Sequence, residues 1–219
     1  MKSFSTKEIT LTAVLTAIVL VMGLVPAVGY IPLTPMVGFT IIHIPVLVGA
    51  YFGGRKVGGF LGLVFGLTSI FVAFTRPSGM LDPIFTNPLV SVLPRFLFGF
   101  FAYDILTFLK GKIKQGYVAT VAYFGIMTLI HSVLVITLLY IAGVNFWYFD
   151  IYGTSEILTR EGTLGVMSFV STYFVGGDSF FGFLLTIVVV NSLLEIAIAI
   201  VVGTPLATRL ESVLEFDKE

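Results

Sequence analysis

The stretch NPLVSVLPRFLFGFFAYDILTFL, Asn87 to Leu109, decides how the chain is read. Its 23 residues are apolar enough to lie in hydrocarbon and long enough to cross it, because a bilayer core of ~30 Å needs about 20 residues of helix. Yet it carries Arg95, a permanent cation, about a third of the way along. A charge at membrane depth costs at least ~2.5–3.5 kcal/mol, so such a residue calls for a functional explanation.

Composition places the rest of the chain in the same setting. Hydrophobic residues make up 57% of the 219 positions and charged residues only 11%, with a mean hydropathy of +1.06. A soluble domain could not hydrate such a surface, so the chain reads as an all-α integral membrane protein. Long apolar runs separated by glycine- and proline-rich gaps predict six transmembrane helices, at about 8–28, 38–53, 58–75, 88–109, 117–142 and 179–208. They would form a single membrane domain over 1–219, leaving little for a soluble one. The apolar run after Lys2 and Lys7 is about twice the length of a signal-peptide core, which makes helix 1 a retained span.

Basic residues fix the expected orientation. Lys2, Lys7, Arg55, Lys56, Lys110, Lys112, Lys114, Arg209 and Lys218 fall on the side of both termini and of the second and fourth gaps, against only Arg76 and Arg160 on the other. Both termini are therefore expected in the cytoplasm. The formal net charge is zero, which gives no field directed at nucleic acid, and the absence of cysteine removes disulfides and thiolate chemistry.

Two small-residue patterns stand out. GGFLGLVFGL places Gly58, Gly62 and Gly66 on one helical face, a spacing that lets two backbones approach closely in lipid; a contact within the chain is the simpler reading. In helix 1, Ala13 and Ala17 lie one turn apart beside Thr12 and Thr16, a generic stripe that could meet either a helix of the same chain or a membrane partner.

Polar residues at membrane depth converge on one end of the bundle. Counting at 1.5 Å per residue from the outer helix ends puts Arg95 at ~10 Å depth, with His131 and Asn191 at ~17 Å. Glu195 follows Asn191 one turn deeper on the same face. Asn87 caps the outer end of helix 4, and His43 sits near the outer end of helix 2. Together these suggest a pocket open to the outside, in which Arg95 would offer paired donors to a carboxylate. A structural ion pair between Arg95 and Glu195 is the competing account, although their depths differ by ~12 Å. His131 and Asn191 taken singly are more often helix-to-helix hydrogen bonds than ligand contacts. Trp147 and Tyr148, with Tyr152, belong to the long fifth gap and fit either an interfacial aromatic belt or the lining of the site.

No catalytic constellation emerges. The two histidines are 88 residues apart without an HExxH, and no GxxxxGK[ST] phosphate loop occurs, so neither a metal site nor a cofactor is expected and this chain would not hydrolyse ATP itself. A small membrane enzyme is thereby disfavoured, and a scaffold whose polar groups only bind helices together stays open.

With these residues in place, the chain resembles a known family. LTAVLTA in helix 1, IIHIPVLVGAYFGGRKVGGFLGLVFGLTS across helices 2 and 3, and NPLVSVLPRFLFG opening helix 4 are similar to the substrate-binding S component of an energy-coupling factor (ECF) vitamin transporter. The likeness is greatest to pantothenate-type members, while pyridoxine- and hydroxymethylpyrimidine-type relatives read similarly. It implies a subunit of a bacterial plasma-membrane ABC importer that captures a water-soluble vitamin from outside. That subunit would topple in the membrane to release it on a transmembrane T component with two cytoplasmic ATPase subunits. It further implies that the alanine stripe, here Ala13 and Ala17, meets the T component, and that the loop GYIPLTP, residues 29–35, acts as a lid.

Overall fold

The computed structural model describes residues 6–25, 28–32, 38–77, 82–145 and 191–214. Helix α1 spans Thr6–Leu24 and is followed by a two-stranded antiparallel hairpin, β1 Tyr30–Pro32 and β2 Gly38–Thr40. Then come α2 His43–Thr75, a 3-10 turn Asp82–Thr86, α3 Pro88–Lys112 and α4 Gly116–Asn145. The final helix, α5, covers Asn191–Val213 and includes a π-helical turn at Ala199–Gly203. Five of these helices are long and apolar enough to cross a membrane, so the protein is a mostly helical, multi-pass membrane protein.

The residues expected as helices 2 and 3 are joined in α2, which is broken at Gly54, where φ is +70° and ψ −165°. Only glycine adopts that conformation without strain. The chain folds back there: a Cβ on Gly49 would overlap the Leu61 side chain, and one on Gly58 would lie 2.7 Å from the Ala50 Cβ. In a straight helix, residues 49 and 61 would stand ~18 Å apart.

Residues 38–40, expected as the first turn of helix 2, are instead strand β2. The pairing Tyr30 with Thr40, Ile31 with Phe39 and Pro32 with Gly38 is extended by the Ile41 amide donating to the Gly29 carbonyl at 3.0 Å. A short apolar run is ambiguous between strand and helix end, and pairing with residues six to ten positions earlier settles it. Helix α1 also ends at Leu24, four residues short of the expected boundary. There Arg76 Nη2 donates to the Leu24 carbonyl at 2.6 Å, supplying a donor to one of the carbonyls that every helix C-terminus leaves bare.

The glycine stripe packs within the chain. A Cβ on Gly58 would strike the carbonyl oxygen of Gly99, one on Gly62 that of Arg95, and one on Gly66 would sit 2.6 Å from the Val92 Cα. Three turns of α2 thus lie directly on the α3 backbone. In lipid this van der Waals contact, rather than the hydrophobic effect, supplies the association. The buried cluster of Leu47, Leu61, Phe65, Phe98, Tyr123 and Phe124 continues the contact to α4, where the Tyr123 hydroxyl donates to the Leu47 carbonyl at 2.9 Å.

At the basic end of the bundle, Tyr51 and Lys110 gather round Glu211: Tyr51 Oη donates to it at 3.0 Å and Lys110 Nζ at 3.1 Å, while Thr120 Oγ1 lies 3.3 Å from the Tyr51 hydroxyl. Arg55 pairs with Asp104 there too. The opposite end holds the buried polar residues that the sequence singled out.

Candidate functional site

Arg95 owes its position to the proline before it. In α3 the Val90 carbonyl would normally accept from the amide of residue 94, but Pro94 has none. The Arg95 guanidinium takes the freed carbonyl, with Nη1 donating to Val90 O at 2.6 Å. Two rings hold the guanidinium, whose Cζ lies 5.5 Å from the centre of Phe65 and 5.2 Å from that of Phe85, both within cation–π range.

Phe85 is fixed from below. The Ser91 hydroxyl donates to the Phe85 carbonyl, and the Asn87 side chain caps α3 by accepting from the Leu89 amide at 2.9 Å. Asn87 is therefore a helix cap, as its place in the sequence suggested, and its Oδ1 is committed to the backbone.

Arg95 is 4% exposed, and its Nε has no hydrogen-bond partner among the described residues. It forms no ion pair there with Glu195, which lies within electrostatic reach together with Tyr30. The competing account, a structural ion pair, is thus not made as a direct contact among the described residues.

Beside it, His131 on α4 is boxed by rings from α2 and α3. Its centroid lies 4.9 Å from Phe98, 5.7 Å from Phe65 and 5.7 Å from His43, with the two imidazoles nearly parallel at 19°. Both His131 nitrogens lack a partner among the described residues. Those of His43 have none of normal geometry, with the Thr40 backbone close by. Leaving such groups buried and unpaired costs about 1–3 kcal/mol each, which a ligand able to hydrogen-bond would recover.

Glu195 and Asn191 come from α5. Glu195 Oε1 accepts from the Thr40 amide at 2.9 Å and from Asn191 Nδ2 at 3.3 Å, while Oε2 accepts from the Ser132 hydroxyl at 3.2 Å. Asn191 Oδ1 remains without a partner among the described residues.

The structure therefore gathers Arg95, His43, His131, Asn191 and Glu195 around one end of α2, α3, α4 and α5, with Asn87 at the entrance of α3. Trp147, Tyr148 and Tyr152 lie outside the described residues. Ala13 and Ala17 lie on the exposed face of α1 opposite the buried Leu15 and Val19, on a helix that supplies none of the cluster residues named above. Sequence reasoning missed Phe65, Phe85, Ser132 and the Thr40 amide. Ser132 directly follows His131, and Pro94 directly precedes Arg95, so both had a local signal; Thr40 had none.

Residues 7–207 match the family described as ECF transporter, substrate-specific component. The chain belongs to that family. It is thus a transporter component of the cell membrane. Among curated proteins, it is 35% identical over 102 residues to the Pantothenate transporter PanT of Leuconostoc mesenteroides, covering 45% of this chain and 50% of the relative. It is 27% identical over 158 residues to the Pantothenic acid transporter PanT of Lactococcus lactis subsp. cremoris, covering 64% of this chain and 76% of the relative. The chain spans about half the length of the first of these relatives.

Proposed function

We propose that this protein captures a small carboxylate vitamin, pantothenate first among them, at the buried cluster around Arg95. The observation that carries the proposal is the guanidinium itself. It is buried at membrane depth, oriented by Val90 and two aromatic rings, and retains an Nε–H without a partner among the described residues. A carboxylate would receive charge-assisted bonds from it. His131, His43 and Asn191 would serve the neutral hydrogen-bonding groups of the ligand, and the names of the two PanT relatives favour pantothenate.

In this reading residues 1–219 form one membrane domain of six spans, with α2 contributing two of them on either side of Gly54 and both termini in the cytoplasm. The site then faces outward beneath the hairpin. Trp147 and Tyr148, which lie outside the described residues, are further candidates for contact with the substrate. Release into the cell would follow toppling on a T component, which meets Ala13 and Ala17 and works with two cytoplasmic ATPase subunits. No catalytic step is required of this chain.

The test is equilibrium binding of radiolabelled pantothenate to the purified protein. Arg95→Ala should weaken binding by about 3 kcal/mol, which is roughly 150-fold, because the anion loses a charge-assisted partner in a low-dielectric site. Arg95→Lys should restore part of it, since a point charge keeps the attraction without the fork. A pantothenate amide should bind the wild type poorly and be nearly indifferent to Arg95→Ala. Equal losses for acid and amide would refute the direct contact.

A further inference from the structure

Helix α5 makes polar contacts at both ends of the bundle. At one end Asn191 and Glu195 belong to the polar cluster, where Glu195 accepts from the Thr40 amide at 2.9 Å and from the Ser132 hydroxyl at 3.2 Å. At the other, Glu211 accepts from Tyr51 Oη on α2 at 3.0 Å and from Lys110 Nζ on α3 at 3.1 Å. Both carboxylates therefore face the other helices.

A regular helix would not allow this. Glu195, Ala199, Gly203, Ala207 and Glu211 recur every fourth residue, and the first four are buried. At 3.6 residues per turn each four-residue step drifts by ~40°, so Glu211 would end ~160° round from Glu195, on the opposite face. The π-helical turn at Ala199–Gly203 removes the conflict. A turn closed between residues five apart holds one residue more than a turn closed between residues four apart. It thus takes back the ~100° of that residue and leaves an offset of ~60°. Leu193, Leu194, Val201, Val202 and Leu206 accordingly stay exposed on the other side.

The sequence explains where the turn falls. Pro205 has no amide, and its ring crowds the carbonyl four residues back, that of Val201 inside the turn. Gly203 lets the turn lie on α4, since a Cβ there would overlap the Phe124 ring. Thr128 and Thr208 donate their hydroxyls to the carbonyl four residues back, at 2.8 and 3.0 Å. Thr204, at the end of the turn, does not, and its buried hydroxyl has no partner among the described residues.

We infer that the π-turn, with Gly203 and Pro205, is a positioning element of the site: it absorbs one residue of α5 and so turns Asn191 and Glu195 toward the Arg95 cluster while Glu211 stays held at the opposite end. The inference rests on the reading of the Arg95 cluster as the substrate site. It assigns residues 199–205 no contact with the substrate.

The experiment uses the full chain in lipid nanodiscs, with equilibrium binding of radiolabelled pantothenate and thermal unfolding as readouts. Deleting Val201, an exposed residue of the turn, should convert π to α and leave both faces where they are. Affinity should then stay within about threefold of the wild type. Lys110→Ala should lower the melting temperature of this variant as much as that of the wild type, because Glu211 is still paired. Inserting one alanine between Val201 and Val202 turns the two ends of α5 apart by a further ~100°, so one set of contacts is given up. Either affinity falls about a hundredfold or more, or Lys110→Ala ceases to matter. Deleting Ile126, an exposed residue of the regular helix α4, has no wide turn to absorb it and should abolish binding.

An affinity loss of about tenfold or more on deleting Val201 would overturn the inference, as would failure of that variant to fold. Equal tolerance of the Ile126 deletion, or an insertion that keeps both affinity and the Lys110→Ala effect, would overturn it too. Failure of the wild type to bind pantothenate would refute the substrate reading alone. The melting temperatures of the deletion and insertion variants, with and without Lys110→Ala, would still decide the role of the turn.

Discussion

Replacing Gly62 by alanine adds one methyl group where the structure has no room for it. The new Cβ would overlap the carbonyl oxygen of Arg95, and would lie 3.0 Å from the Arg95 carbonyl carbon and 3.3 Å from the Phe96 Cα. All three are backbone atoms of α3, so no side chain can rotate away. Carbon and carbonyl oxygen in ordinary contact stand about 3.3–3.6 Å apart, which requires α2 and α3 to separate by about 1 Å.

Overpacking of this kind costs roughly 1–3 kcal/mol, and the better helix propensity of alanine returns up to about 1. The expected net loss is about 1–2 kcal/mol, or a melting temperature lower by about 2–8 °C. Because the displaced carbonyl belongs to Arg95 itself, substrate affinity should fall as well, by about tenfold, through misplacement of the guanidinium. Thermal unfolding of purified variants in one detergent, with and without pantothenate, measures both quantities. Gly66→Ala presses on Val92 and Ser91 and should lose stability with a smaller effect on binding. Gly111→Ala meets nothing within 4 Å and should melt at or above the wild-type temperature. Wild-type melting in Gly62→Ala would refute the claim that backbone-to-backbone contact holds α2 on α3.

Other perturbations separate the parts of the proposal. Ala13→Trp or Ala17→Trp places bulk on the exposed face of α1, so pantothenate binding by the isolated protein should persist while uptake by cells with the complete importer is lost; lost binding would show that this face reaches the site. Asn87→Ala removes the cap of α3 and should cost about 1 kcal/mol, read as a lower melting temperature that Asn87→Ser largely restores. The Arg95 and Val201 series should diverge: the first changes affinity according to the charge of the ligand, the second responds to the length of the π-turn, with deletion tolerated and insertion not.

Much of the fold was legible because lipid imposes it locally. Each apolar run satisfies its own backbone as a helix, so length and hydropathy alone placed the segments around residues 88–109 and 117–142 in helices. Gly58, Gly62 and Gly66 announced a close helix contact by spacing, and Asn87 before Pro88 announced a cap. The hairpin did not announce itself, because Gly38–Thr40 becomes a strand through a partner that propensity does not specify.

The candidate site divides in the same way. Sequence by itself determined that Arg95, His131, Asn191 and Glu195 would be polar groups at membrane depth, since their place in apolar helices fixes how far they lie from water. Tertiary structure alone decided what each one does there. It set Arg95 against Val90, Phe65 and Phe85 without an ion pair among the described residues, stacked His43 on His131, and brought the Thr40 amide to Glu195 from 155 residues away. Depth is a property of position along one helix. Partnership is decided by which helices pack together and how they are rotated, which no single segment encodes.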